Sequence, residues 1–242
     1  MQPVAAPDLN AKAMLLRLRD GVAATDANFT MAVAFHEVWK PAVNDGELHA
    51  RMSNSYAGQA FLIVRTSLRR ETLLALMRVW DETKGTGSLK HIFGDLAKTP
   101  IWQSLLTERL AKLQTRGLGE EARKLMTESK AELSRLHTSY RHGGERNAIY
   151  KKLKDLRDQN LAHTQAKPAA PISIDPFDAE VDHFYSDTAT IVSGLMSLVN
   201  GEAHNYVDTG KVYSHYAGLF WEGARSESTE GHPRFRRRRS AA

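Results

Sequence analysis

Apolar residues in this chain return every three to five positions almost wherever they occur. No stretch sustains the two-residue alternation and β-branched enrichment of strands. An all-α fold follows. The clearest case runs from Glu47 to about Thr83, where Leu48, Met52, Tyr56, Ala60 and Ile63, then Leu68, Leu73, Leu76, Met77 and Trp80, predict one long central helix. Ahead of it, helix is predicted from Asp8, an N-cap, to Trp39, with Gly21 a candidate break and Lys40-Pro41 a stop. Behind it, KGTGS (84–88) reads as a turn and Leu89, Ile92, Phe93 and Leu96 as a short helix. Thr99-Pro100 opens a helix towards Gln114, and a polar-rich helix reaches Tyr140 before Gly143-Gly144. A helix over about 145–164, a proline-rich connector over 165–176 and closing helices over about 176–200 and 208–223 complete an elongated up-and-down bundle. The second of these helices has Asp175 as N-cap and Pro176 at its first position. The reading is one domain, 1–224, and a basic tail, 225–242, which has almost nothing to bury and is expected to be disordered.

Composition excludes several function classes. The chain has 242 residues, 42% of them hydrophobic, enough for a sizeable core. Its net charge of +5 equals the contribution of Arg234, Arg236, Arg237, Arg238 and Arg239, so the rest of the chain is formally neutral. Apolar runs such as Phe61-Leu62-Ile63-Val64 fall far short of the roughly 18 residues a membrane span needs, and the start lacks a leader pattern, so a cytoplasmic location is expected. With no cysteine, disulfides, thiolate nucleophiles and thiolate metal sites are closed. KGTGSLKH lacks the residue order of a phosphate-binding P-loop, and His36-Glu37 lacks the second histidine of a zinc protease helix. His183 with Asp182 and Asp187 reads as a solvated face rather than a metal site. No cofactor and no metal are therefore expected. Phe184, Tyr185, Tyr216, Phe220 and Trp221, at helical spacing, read as core or dimer packing, with base stacking as the lesser alternative.

The stretch LKDLRDQNLAHTQ (153–165) raises a chemical question. On a wheel of about 100° per residue, Ile149, Leu153 and Leu156 define an apolar arc with Tyr150 at its edge, while Lys151, Asp155, Asp158, Gln159 and Ala162 point away. Arg157, Asn160 and His163 fall inside or beside the apolar arc. Buried charge and buried amides need partners, so either the helix leaves the core there or the three side chains line a polar cleft.

Arg157-Asp158-Gln159-Asn160-Leu161-Ala162-His163 has the Arg, four to six residues, His form of the HEPN superfamily, a helical-bundle group of RNA-cutting and toxin domains. It resembles the abortive-infection branch, whose version reads Arg, an acid, a polar residue, two more residues, Ala-His. LLALMRVWDE (73–82), followed by a glycine-containing turn and SLKHIF, is similar to the earlier part of such proteins, so the resemblance covers roughly residues 8–200. Two other Arg and His pairs have compatible spacing, but Arg135 and His142 straddle a helix end and Arg225 and His232 lie in the tail.

The resemblance implies a metal-independent endoribonuclease or RNA-targeting toxin of a phage-defence or toxin-antitoxin system. RNA carries its own nucleophile, the 2′-hydroxyl. His163 would be the general base or acid, since imidazole titrates near a pH of about 6.5, and Arg157 would clamp the phosphate with two parallel hydrogen bonds. Asn160 would orient substrate or imidazole, and Asp158 matches the acid after the arginine, although the wheel points it outward. Lys154 and the tail arginines are candidate RNA contacts. In the family two motifs usually meet across a homodimer, and an antitoxin is a further partner to consider. Gln165 stands where some HEPN toxins carry a modifiable tyrosine, so no such switch is expected. The alternative is a catalytically inactive HEPN-fold module that binds RNA or protein. The tail has two readings as well, a salt-sensitive arm for RNA or a solubilising terminus.

Overall fold

The computed structural model describes residues 9–53, 55–83, 87–114, 118–158, 178–224 and 227. Their helices are α1 (Leu9–Asn44), α2 (Gly46–Met52), α3 (Ala57–Val79), α4 (Leu89–Leu96), α5 (Thr99–Gln114), α6 (Gly119–Ser139), α7 (Asn147–Leu156), α8 (Asp178–Leu195), a π turn (Met196–Asn200) and α9 (Tyr206–Gly223). No strand occurs among the described residues, as the periodicity predicts. No helix among them is long and apolar enough to cross a membrane. Asp8, the connector, the Asp175-Pro176 start, Asn160, His163, Gln165 and the five tail arginines lie outside the described residues.

Two expected boundaries differ. α1 runs unbroken past both Gly21 and Pro41. Gly21 serves close packing instead of a break: a β-carbon on Gly87 would lie 3.1 Å from the Gly21 Cα. Thr25 Oγ1 donates to the Gly87 carbonyl at 2.6 Å, holding the two backbones together. Pro41 removes one N–H near the end of the helix, and the buried Ala42 that follows it packs into an apolar cluster that keeps the last turn helical. The long helix expected from Glu47 to Thr83 is two helices, α2 and α3. At the break the Ser53 hydroxyl donates to the Ala50 carbonyl at 3.2 Å, a local bond of the kind that competes with the helix backbone. The break resets the phase, so Phe61 is buried while Tyr56 and Ile63, expected on the same buried face, are exposed.

The chain divides into two compact units. One comprises Met1–Phe29 and Ala75–Asn205, the other Thr30–Leu74 and Tyr206–Ala242. In the second unit Leu48, Met52, Phe61, Ala217 and Trp221 form the apolar cluster, and Trp221 Nε1 donates to the Val38 carbonyl at 2.8 Å. In the first unit α6 packs on α5 and α8, α7 on α8, and α4 on α5. Its centre is Trp80, fully enclosed by the rings of His137, Tyr140, Tyr150 and Phe184, with Nε1 donating to Thr188 Oγ1 at 2.9 Å. Of the aromatics singled out in the sequence, Phe184 and Trp221 are core, while Tyr216 and Phe220 are exposed.

Candidate functional site

The entry to α7 is fixed by hydrogen bonds rather than by a capping side chain. Gly143, at φ 84°, turns the chain after α6, Arg146 N–H donates to the Ser139 carbonyl at 2.8 Å, and Asn147 Nδ2 donates to the Tyr140 carbonyl at 3.0 Å. Asp187 on α8 then binds both the Tyr140 hydroxyl and the Arg146 guanidinium. That carboxylate is spoken for; with Asp182 and His183 exposed, the acidic start of α8 holds no metal-type cluster among the described residues. With its start anchored, α7 buries Tyr150, Leu153 and Leu156 and exposes Lys151 and Asp155, the faces the wheel assigns.

At Arg157 the helix widens into a π turn. Such turns recur at functional sites. Asp158 keeps the outward angle the wheel assigns, with 39% of its side chain exposed against 22% for Arg157. It lies beside Arg157, whose Nε donates to Oδ1 at 2.7 Å and whose Nη2 is 2.6 Å from the same oxygen. Its Oδ2 accepts from Lys154 Nζ at 3.0 Å. Burial by itself would raise the Asp158 carboxyl, but the hydrogen bonds and charges of Lys154 and Arg157 hold it below the usual carboxylate range. Arg157 is 22% exposed, with its guanidinium plane set by Asp158. The Nη1 edge takes no bond among the described residues.

Around Arg157 stand groups the sequence reading did not single out. Asp81 follows α3 and accepts the Thr83 N–H at 3.1 Å and its hydroxyl at 2.9 Å. Burial pushes its carboxyl up, yet the Thr83 bonds and the charge of Arg157 bring it below its ordinary value. Glu82 pairs with Arg141, approaches Lys90 Nζ at 3.7 Å and lies 3.5 Å from the Tyr150 hydroxyl, a donor to it. The Tyr150 phenol is pushed up to about 12 by burial first and then by Glu82, against Arg141 and Arg157, so it stays a neutral donor at physiological pH. Beneath them His137 is stacked between Trp80 and Phe93, with centroids 5.5 and 4.4 Å away, and its Nε2 is buried without a hydrogen-bond partner among the described residues. Burial, then Arg141, opposed by Glu82, lowers its pKa to about 4. The signal for this surround was present in the sequence as the acidic end of LLALMRVWDE, but nothing local tied it to a segment some seventy residues later. Of the sequence-predicted residues, Arg157, Asp158 and Lys154 come together here.

Residues 13–220 match the family model HEPN_AbiU2, described as AbiU2. The chain belongs to this HEPN family. No curated protein and no solved structure matches it. The all-α bundle is thus of HEPN type, and the match extends the resemblance beyond residue 200 into α9. In this AbiU2-family chain the half-buried Arg157 stands at the end of α7.

Proposed function

We propose that this abortive-infection HEPN protein is a metal-independent endoribonuclease whose cleft is completed by a second copy of the chain. The observation that carries the reading is the fixed guanidinium of Arg157, oriented by Asp158 at the first position of the motif. The RNA 2′-hydroxyl attacks the adjacent phosphorus as His163 takes its proton, and the bond to the 5′-oxygen breaks as that oxygen receives a proton from a second imidazole. The products are a 2′,3′-cyclic phosphate and a 5′-hydroxyl end. Arg157 holds the non-bridging oxygens, where charge grows, and Asn160 orients the group beside it. Lys154 and the tail arginines Arg234, Arg236, Arg237, Arg238 and Arg239 add sequence-independent attraction for RNA phosphates in the cytoplasm, and an antitoxin partner restrains the activity. The experiment is incubation of the purified chain and its Arg157→Ala form with total RNA in excess chelator, followed by analysis of the ends. Cyclic-phosphate ends from the parent and a loss of about a hundredfold or more in the variant are expected. Intact RNA in both tubes would replace this reading with a binding module.

A further inference from the structure

A polar cleft lies in the same unit as Trp80 and shares no lining residue with the surround of Arg157 described above. It has a volume of about 320 Å³ and is lined by Arg19, Glu108, Arg109, Asn200 and Glu202. That volume is at the small end of ligand-binding sites, and the lining side chains among the described residues are all polar or charged.

The cations are held differently. Arg19 Nη2 binds Glu108 Oε1 at 2.8 Å, so each answers the other's charge. Arg109 is in no ion pair among the described residues and donates one long bond, from Nη2 to the Ser197 carbonyl at 3.3 Å. Its guanidinium lies flush on Gly201, where a β-carbon would come 1.8 Å from Nη1. Gly201 has φ 78°, the left-handed conformation that ends the π turn, so one glycine both turns the chain and makes room for the guanidinium. Beside it the Asn200 amide is weakly held, with Nδ2 3.8 Å from the Met196 sulfur and Oδ1 buried without a donor among the described residues, so that rotation can present it to a ligand. Glu202 is exposed at the rim.

An unpaired guanidinium asks for an anion, while a carboxylate and an amide accept and donate hydrogen bonds to hydroxyls. Among the described lining residues two arginines face two glutamates, a balance that suits one phosphate on a neutral polyol better than a polyanionic tract. The geometry points to a ribose phosphate as the ligand, with its phosphate on Arg109 and its hydroxyls on Glu202 and Asn200. A free mononucleotide and the terminal nucleotide of an RNA share that chemistry.

The test is calorimetric titration of the full chain with ribose 5-phosphate, 2-deoxyribose 5-phosphate, adenosine 5′-monophosphate and a short 5′-phosphorylated oligoribonucleotide. Saturable binding of ribose 5-phosphate is expected, weakened about tenfold or more by Arg109→Ala, which loses the charge-assisted contact. Glu202→Ala is expected to keep phosphate binding but lose the preference for ribose over deoxyribose, and unchanged melting curves establish that both variants fold. Tighter binding of the mononucleotide would name a free nucleotide as the ligand, and tighter binding of the oligonucleotide an RNA end. Arg157→Ala should bind the probe as the parent does, separating this site from the proposed cutting site. Absence of saturable binding, affinity unchanged by Arg109→Ala, or binding of a zwitterionic amino acid in place of the sugar phosphate would overturn the assignment.

Discussion

Asp158 shares its two oxygens between Arg157 and Lys154, so it restrains the orientation of a cation more than it stabilises the fold. Such partly exposed pairs contribute at most about 1 kcal/mol to stability. Asp158→Asn, which keeps the shape and removes the charge, is therefore expected to slow RNA cutting by about tenfold, about 1.4 kcal/mol of barrier, while the melting temperature stays put. Single-turnover rates beside thermal melts check both halves. His137 makes the opposite kind of contribution. Its folded pKa is lowered to about 4, whereas an unperturbed imidazole titrates near 6.5, so on acidification the unfolded chain takes up the proton first. The stability that depends on neutral His137 is complete above about pH 6.5 and is lost progressively as pH falls towards 4, by at most about 1.4 kcal/mol per pH unit. His36 in the other unit, lowered to about 3 by burial and then by Lys40 and Arg69, acts in the same direction. Urea midpoints at pH 7.5 and 5 should fall for the parent. They should fall less for His137→Phe, which keeps a ring between Trp80 and Phe93.

Helix ends carry the next scale of argument. Asp45 starts α2 by accepting the N–H groups of Glu47 at 2.9 Å and Leu48 at 3.0 Å, one residue after α1 stops. Asp45→Ala should cost about 1 kcal/mol, measured by urea unfolding, since the alanine leaves both donors to solvent. Gly201→Ala should cost about 1–2 kcal/mol from its left-handed backbone, with Arg109 also forced to move. The α7 faces were legible because Tyr150, Leu153 and Leu156 obey a plain helical period. The outward angle of Asp158 was legible in the same period, its side chain 39% exposed and paired with Lys154 one turn back, but its bond to Arg157 was not, since the wheel sets neighbouring residues about 100° apart. The break between α2 and α3 was masked: apolar residues continue through it at helical intervals, and which of them is buried depends on the cluster around Trp221.

At the scale of the whole molecule, the proposed cleft draws on two copies of the chain. If each cleft takes one imidazole from each copy, dimers of one parent chain and one His163→Ala chain lose cutting although half of their chains are intact. Retention of about half the parental rate, with mixed dimers confirmed by mass spectrometry, would place the whole site within one copy. The sequence by itself determined the helical class, the absence of cysteine chemistry and the resemblance to the family, read from the spacing of Arg157 and His163. All three are local properties, set by residue type and by spacing within a turn or two. Only the tertiary structure decided what surrounds that motif. Glu82 meets Arg141 across 59 positions and Arg19 meets Glu108 across 89, contacts that the packing of helices creates and that no helical period encodes.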